Sequence, residues 1–70
     1  MRAEETELEM VQRHVREGER QLVNQRALID RLRASELPTG EAEALLDTFE
    51  DMQGQHIAHL MRLQANRDLP

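Results

Sequence analysis

Residues 8–32 read LEMVQRHVREGERQLVNQRALIDRL, and the spacing of their apolar members decides the fold. Leu8, Val15, Leu22 and Ile29 recur every seven residues, with Val11, Gly18, Gln25 and Leu32 at the complementary positions between them. A 3.5-residue repeat of this kind is how a helix buries one stripe against another helix. A second seam follows a single Pro/Gly interruption: Ala42, Leu45, Phe49, Met52, His56, His59 and Leu63. The pattern predicts an all-α antiparallel two-helix hairpin in one domain spanning 1–70. Helix 1 is expected over about 4–36, the turn over 37–39, helix 2 over about 40–65, and a frayed tail over 66–70.

Local chemistry supports these bounds. Glu4, Glu5, Glu7 and Glu9 load the start of helix 1, while Arg31 and Arg33 load its end, which complements the helix dipole. Gly18 costs roughly 1 kcal/mol in a helix interior, and its place on the seam gives it a reason: close approach of the partner helix. In the turn Leu37-Pro38-Thr39-Gly40, Pro38 disfavours helical geometry at Leu37. Thr39 is a good N-cap, followed by Glu41 and Glu43. So short a connection makes the helices antiparallel neighbours.

A hairpin centred on Pro38 and Thr39 sets Leu32 against Leu45, Ile29 against Phe49, and Gln25 against Met52 and Gln53. Beyond those layers come Leu22 with His56, Gly18 with His59 or Leu60, and Val15 with Leu63. Folding back also places Arg26, Arg31 and Arg33 beside the acids that open helix 2. Leu46, Ile57 and Leu60 widen the stripe of helix 2 beyond what one partner covers, and Leu28 widens that of helix 1. A stripe wider than one seam needs a second surface. The expectation is a homodimer forming a four-helix bundle, two-fold pairing being the commonest solution. Size argues the same way, since a chain of 70 residues builds a core seldom worth more than about 3–5 kcal/mol.

Composition narrows the function classes. There is no cysteine, so neither a disulfide framework nor a thiolate zinc site can form. All nine basic residues are Arg against fourteen acids, for a net charge of -5. No apolar run reaches the ~18–20 residues of a membrane span, and the acidic stretch from Met1 to Glu7 lacks the apolar core of a signal peptide. The expected compartment is the cytoplasm. Cys, Tyr and Lys are absent, and Ser35, the one serine, falls at the turn far from every histidine, so no nucleophile–base pair assembles within a protomer. No enzyme and no cofactor is expected.

Three histidines carry what chemistry remains. His56 and His59 lie i, i+3 on one helical face, and His14 is placed near the open end, roughly opposite residues 63 and 64. Three neutral imidazoles suit zinc or another divalent ion. The plainer reading makes His56 a packed seam residue hydrogen-bonded to a glutamine, with His14 and His59 on solvated flanks. A carboxylate-bridged di-iron site would need Glu-x-x-His, but Gln53 stands three residues before His56 and Val11 three before His14. Gln25, Gln53 and His56 are expected to form a small internal polar cluster that sets register. Arg13, Arg16, Arg20, Arg26, Arg31 and Arg33 could contact phosphates, as in a Rop-like RNA-binding dimer. Against that stand the net acidity and a lone aromatic, Phe49, on the seam where it cannot stack on bases.

The stretch from Gln25 to Leu32, the stretch Leu37-Pro38-Thr39-Gly40-Glu41-Ala42-Glu43-Ala44-Leu45-Leu46-Asp47-Thr48-Phe49-Glu50, His14, and Gln55 to Leu60 together resemble a group of short bacterial helical-hairpin proteins with no assigned activity. The resemblance spans most of the chain. It implies a natural, recurring hairpin and no function. The reading is a non-enzymatic protein–protein interaction module that self-associates, with another protein as a further partner and no membrane or nucleic acid. A histidine-based metal-binding bundle is the alternative, with metal candidates His14, His56 and His59, and the RNA-binding dimer is third. The expected core and interface residues are Leu8, Val11, Val15, Leu22, Leu28, Ile29, Leu32, Leu45, Leu46, Phe49, Met52, His56, Ile57, Leu60 and Leu63.

Overall fold

A computed structural model describes residues 4–67. They form two α-helices packed as a hairpin, α1 (Glu7–Ala34) and α2 (Gly40–Arg67), with no strand among the described residues. None of the described helices is long and apolar enough to cross a membrane.

Helix α1 starts at Glu7 rather than near residue 4, because Thr6 caps it. The Glu9 N–H donates to Thr6 Oγ1 at 3.1 Å, and the Thr6 N–H donates to Glu9 Oε1 at 3.0 Å. This reciprocal capping box satisfies two N–H groups that a helix start leaves orphaned.

The other end of α1 closes by a Schellman motif. Ser35 is the C-cap, the Glu36 N–H donates to the Arg33 carbonyl at 3.1 Å, and the Leu37 N–H reaches the Leu32 carbonyl at 2.8 Å. Such a motif requires a left-handed residue just past the cap, and here that residue is Glu36, with φ 57. α2 begins at Gly40, where the sequence places its start. The Glu43 N–H donates to the Thr39 carbonyl at 2.8 Å, so the α2 ladder begins as Thr39 predicts. α2 continues to Arg67, two residues past the expected end, and the rest of the expected tail lies outside the described residues.

The core is thin. Val11 is 1% exposed and Ile29 5%, and these are the apolar side chains that reach full burial. Two glutamines are buried as well, in different layers: Gln25 at 7% and Gln53 at 5%. Gln25 Nε2 donates to the Ala42 carbonyl at 2.8 Å, and Gln53 Nε2 to the Val15 carbonyl at 2.9 Å.

The expected seam of α2 is therefore corrected. Leu45 (44% exposed) and Met52 (46%) lie off the line of contact with α1. The contacting stripe keeps Ala42, Phe49, His56 and Leu63 of the expected seam but takes Leu46, Gln53 and Leu60, each one position on, in place of Leu45, Met52 and His59, and all seven are buried or half-buried. Gly18 is the physical cause. Its missing side chain leaves a slot beside α1 that the Gln53 amide fills, so Gln53 rather than Met52 points inward.

The layers shift accordingly. The connection takes up residues 35–39, so α2 begins only after a five-residue path. His56 faces His14 rather than Leu22, and Gln53 faces Val15 and Gly18 rather than Gln25. Gln25, Gln53 and His56 do not form one cluster: the carbonyls held by the two glutamines are on different helices, and Val15 and Gln25 are ten residues, about 15 Å, apart along α1.

The result is a single layer of helices with overall extents of 55 × 30 × 13 Å. Its radius of gyration is 16.2 Å, against about 11 Å for a compact domain of this length. Both broad faces of the hairpin are open.

Candidate functional site

Rotation of α2 brings two of the three histidines together. His14, near the start of α1, and His56, on α2, tilt toward each other with ring centroids 5.1 Å apart and planes inclined at 40°. They line an open cleft of about 250 Å³ with Glu17, Gly18, Gln21 and Met52. The Nδ1 of His56 is buried and has no hydrogen-bond partner, as does Gln53 Oε1. The expected His56–glutamine hydrogen bond is thus absent at that nitrogen.

His59 goes elsewhere. Its Nε2 lies 3.2 Å from Glu7 Oε1 across the open end of the hairpin, and the side chain is about one-third exposed. The three-histidine cluster therefore divides into a pair and a single residue. Among the described residues, no group of three or more His, Asp or Glu side chains is arranged to hold a metal ion.

Glu17 carries the carboxylate of the cleft, and it is engaged by Arg13. Arg13 Nη1 donates to Glu17 Oε1 at 3.1 Å, while its Nε and Nη2 make a bidentate pair with Glu5 at 3.0 and 2.9 Å. The Glu5 hydrogen bonds first, and the Glu17 bond second, hold the Arg13 guanidinium still more firmly in its charged form than usual. Glu17 and Gln21 were not singled out in the sequence, although they follow His14 at i+3 and i+7 on one helical face. Their spacing carried the signal, but only the rotation of α2 shows that this face meets Met52 and His56.

A second groove, of about 330 Å³, lies near the turn on the opposite side. It is lined by Arg26, Ile29, Asp30, Arg33, Glu43 and Leu46. Arg33 Nη2 meets Glu43 at 3.2 Å and Arg26 Nη2 meets Glu50 at 3.5 Å, both exposed pairs. Arg26 and Arg33 thus meet acids of α2, as the folding-back of the hairpin predicts. Arginines neutralised across the hairpin make a poor phosphate-binding stripe.

No protein-family model matches the chain, and no curated protein or solved structure is significantly similar to it.

Proposed function

We propose that this protein is a non-enzymatic, cytoplasmic protein–protein interaction module that self-associates, as a homodimeric four-helix bundle, through apolar surface the hairpin leaves open. One observation carries the reading. The chain exposes 5679 Å² for a mass of 8.2 kDa, where a compact monomer of that mass exposes about 4,500 Å². The excess of about 1,100 Å² exceeds the roughly 800 Å² per partner of a standard protein interface. Domains normally pack two layers around a core, and this one has a single layer. A second copy supplies the missing layer.

Sedimentation velocity across a micromolar concentration series tests the reading. A dimer whose melting temperature rises with protein concentration is the expected result. A folded monomer with a concentration-independent melt overturns it.

The His14–His56 pair favours a second reading, a bundle that binds a divalent metal through imidazoles. Two rings from one protomer make half of a tetrahedral site, so this reading also needs the second copy or solvent to complete it. A zinc titration followed by thermal melting separates the two: stabilisation lost in both His14→Ala and His56→Ala supports the metal, and an unchanged melt removes it. The RNA-binding dimer comes third, weakened by the Arg26–Glu50 and Arg33–Glu43 pairs, and a salt-dependent RNA shift assay is its test.

A further inference from the structure

The two broad faces of the hairpin differ in a way that selects between them as the docking surface. Successive side chains on a helix turn by about 100°, and the two grooves fix which flanks share a side. The cleft places the His14 and Gln21 flank of α1 beside the Met52 and His56 flank of α2. The groove near the turn places the Arg26 and Arg33 flank beside Glu43 and Leu46, on the reverse. On the first face, the turn-proximal half presents Leu28 and Leu32 from α1 with Leu45, Phe49 and Met52 from α2, all half-buried or exposed. Its one carboxylate between Met10 and Leu32 is Glu17, already paired with Arg13. Along α2 from Leu45 to Leu63 this flank carries no charged residue. The reverse face carries Arg26, Asp30, Arg33, Glu43 and Glu50, with two ion pairs bridging the helices.

The geometry points to the cleft-side face, centred on Leu45 and Met52, as the surface on which a second copy of this chain packs. The inference rests on the self-association proposed above and names its face. Cores of interfaces are depleted in charge and enriched in Met and aromatic side chains, which favours the cleft side over the reverse, where Ile57 and Met61 are exposed but two ion pairs cross the turn-proximal half. A second copy is the occupant the excess surface fits: that excess is enough for the roughly 800 Å² one standard interface takes from each protomer, and a two-fold pairing uses the same patch on both.

Two matched double variants test it. Leu45→Glu/Met52→Glu places charge on the cleft side, and Ile57→Glu/Met61→Glu places it on the reverse flank of α2. The four side chains are all partly exposed in the isolated hairpin (44%, 46%, 40% and 64%), and helical circular dichroism and the monomer's melt check that each variant keeps its fold. The expected result is that Leu45→Glu/Met52→Glu raises the dimer dissociation constant at least 30-fold by sedimentation equilibrium, while Ile57→Glu/Met61→Glu changes it by less than about threefold. A wild type that dimerises but loses its dimer with the reverse pair, or with both pairs, overturns the face and leaves self-association standing. A monomeric wild type overturns self-association itself. Should a charged variant lose its helical circular dichroism, single cysteines decide instead, since the chain has none of its own. Met52→Cys should cross-link to a covalent dimer with a short bismaleimide and Met61→Cys should not. The reverse pattern sinks the assignment.

Discussion

Gly18 and Gln53 share one space: a methyl group built on Gly18 would overlap the Gln53 amide oxygen and lie 2.7 Å from its Cδ. The glutamine occupies the slot while donating to the Val15 carbonyl at 2.9 Å, so the absence of one side chain and the reach of the other are a single device. Gly18→Ala gains roughly 1 kcal/mol of helix propensity but drives Gln53 out of a buried hydrogen bond, a loss of about 1–3 kcal/mol. The net expectation is destabilisation. In a Gln53→Ala background the obstacle is gone, and Gly18→Ala should stabilise by about 0.5–1 kcal/mol. Chemical denaturation of the four proteins of this cycle measures the coupling. The same sign for Gly18→Ala in both backgrounds contradicts the shared slot.

The two buried glutamines should set register more than they stabilise. Each donates one amide hydrogen bond to a carbonyl of the facing helix, and Gln53 Oε1 is left without a partner. Replacing buried polar groups by apolar ones of similar shape is often neutral or stabilising. Gln25→Leu/Gln53→Leu should raise stability by about 1–2 kcal/mol, with each kcal/mol worth roughly 4–8 °C in so small a domain. The companion effect is loss of a single register, visible as more amide resonances than residues in a heteronuclear NMR spectrum. A drop in stability with a single sharp set of resonances would show that the amides hold the hairpin by energy rather than by selection.

These residues also show where the sequence is legible. The phase of α1 is read correctly through Gly18 and Gln25, because the heptad is set by Leu8, Val15, Leu22 and Ile29 and the weak positions are carried with it. The α2 seam is read correctly at Ala42, Phe49, His56 and Leu63 and misread by one position at the three places between them. Hydropathy chooses Leu45 and Met52 over Leu46 and Gln53, and a pattern of apolar residues cannot register that a glutamine has a slot and a carbonyl waiting on the other helix. The candidate site fails for the same reason: with α2 rotated and the layers shifted, His14 meets His56, and His59 is left to Glu7. The end of the turn at Thr39 is placed correctly, but its start is not: α1 stops at Ala34 rather than near residue 36, because Glu36 carries none of the glycine signal that marks a left-handed position.

Glu36 offers the simplest stabilising change. Its φ of 57 lies in the left-handed region, where a side chain costs roughly 1–2 kcal/mol, and its N–H already fills the Schellman role that glycine usually takes. Glu36→Gly should stabilise the hairpin by about 0.5–1 kcal/mol after the greater chain entropy of glycine is subtracted. Glu36→Ala should not, since alanine keeps the Cβ. Thermal melts at matched protein concentration separate the two, and an alanine variant as stable as the glycine one would rule out a backbone cause.

The capping box at the start of α1 makes stability depend on acid in a direction that can be worked out. The Glu9 carboxylate is held below the usual carboxylate range, first by the hydrogen bond from the Thr6 backbone N–H and then by the Thr6 side chain. A carboxylate whose folded value is depressed stays ionised in the folded protein where the unfolded chain already binds a proton. Its contribution is therefore complete above the unfolded value, near 4.3, and is lost as pH falls through the lower folded value. Glu9→Gln keeps the acceptor that faces Thr6 but cannot titrate, so its melting temperature should fall less between pH 5 and pH 3 than that of the wild type. Thr6→Ala removes the hydroxyl that accepts from the Glu9 N–H, and should lower stability at neutral pH by about 1 kcal/mol, the usual cost of losing an N-cap. If Glu9→Gln follows the wild-type acid profile across that window, the acid sensitivity belongs to other carboxylates and the box acts through Thr6 alone.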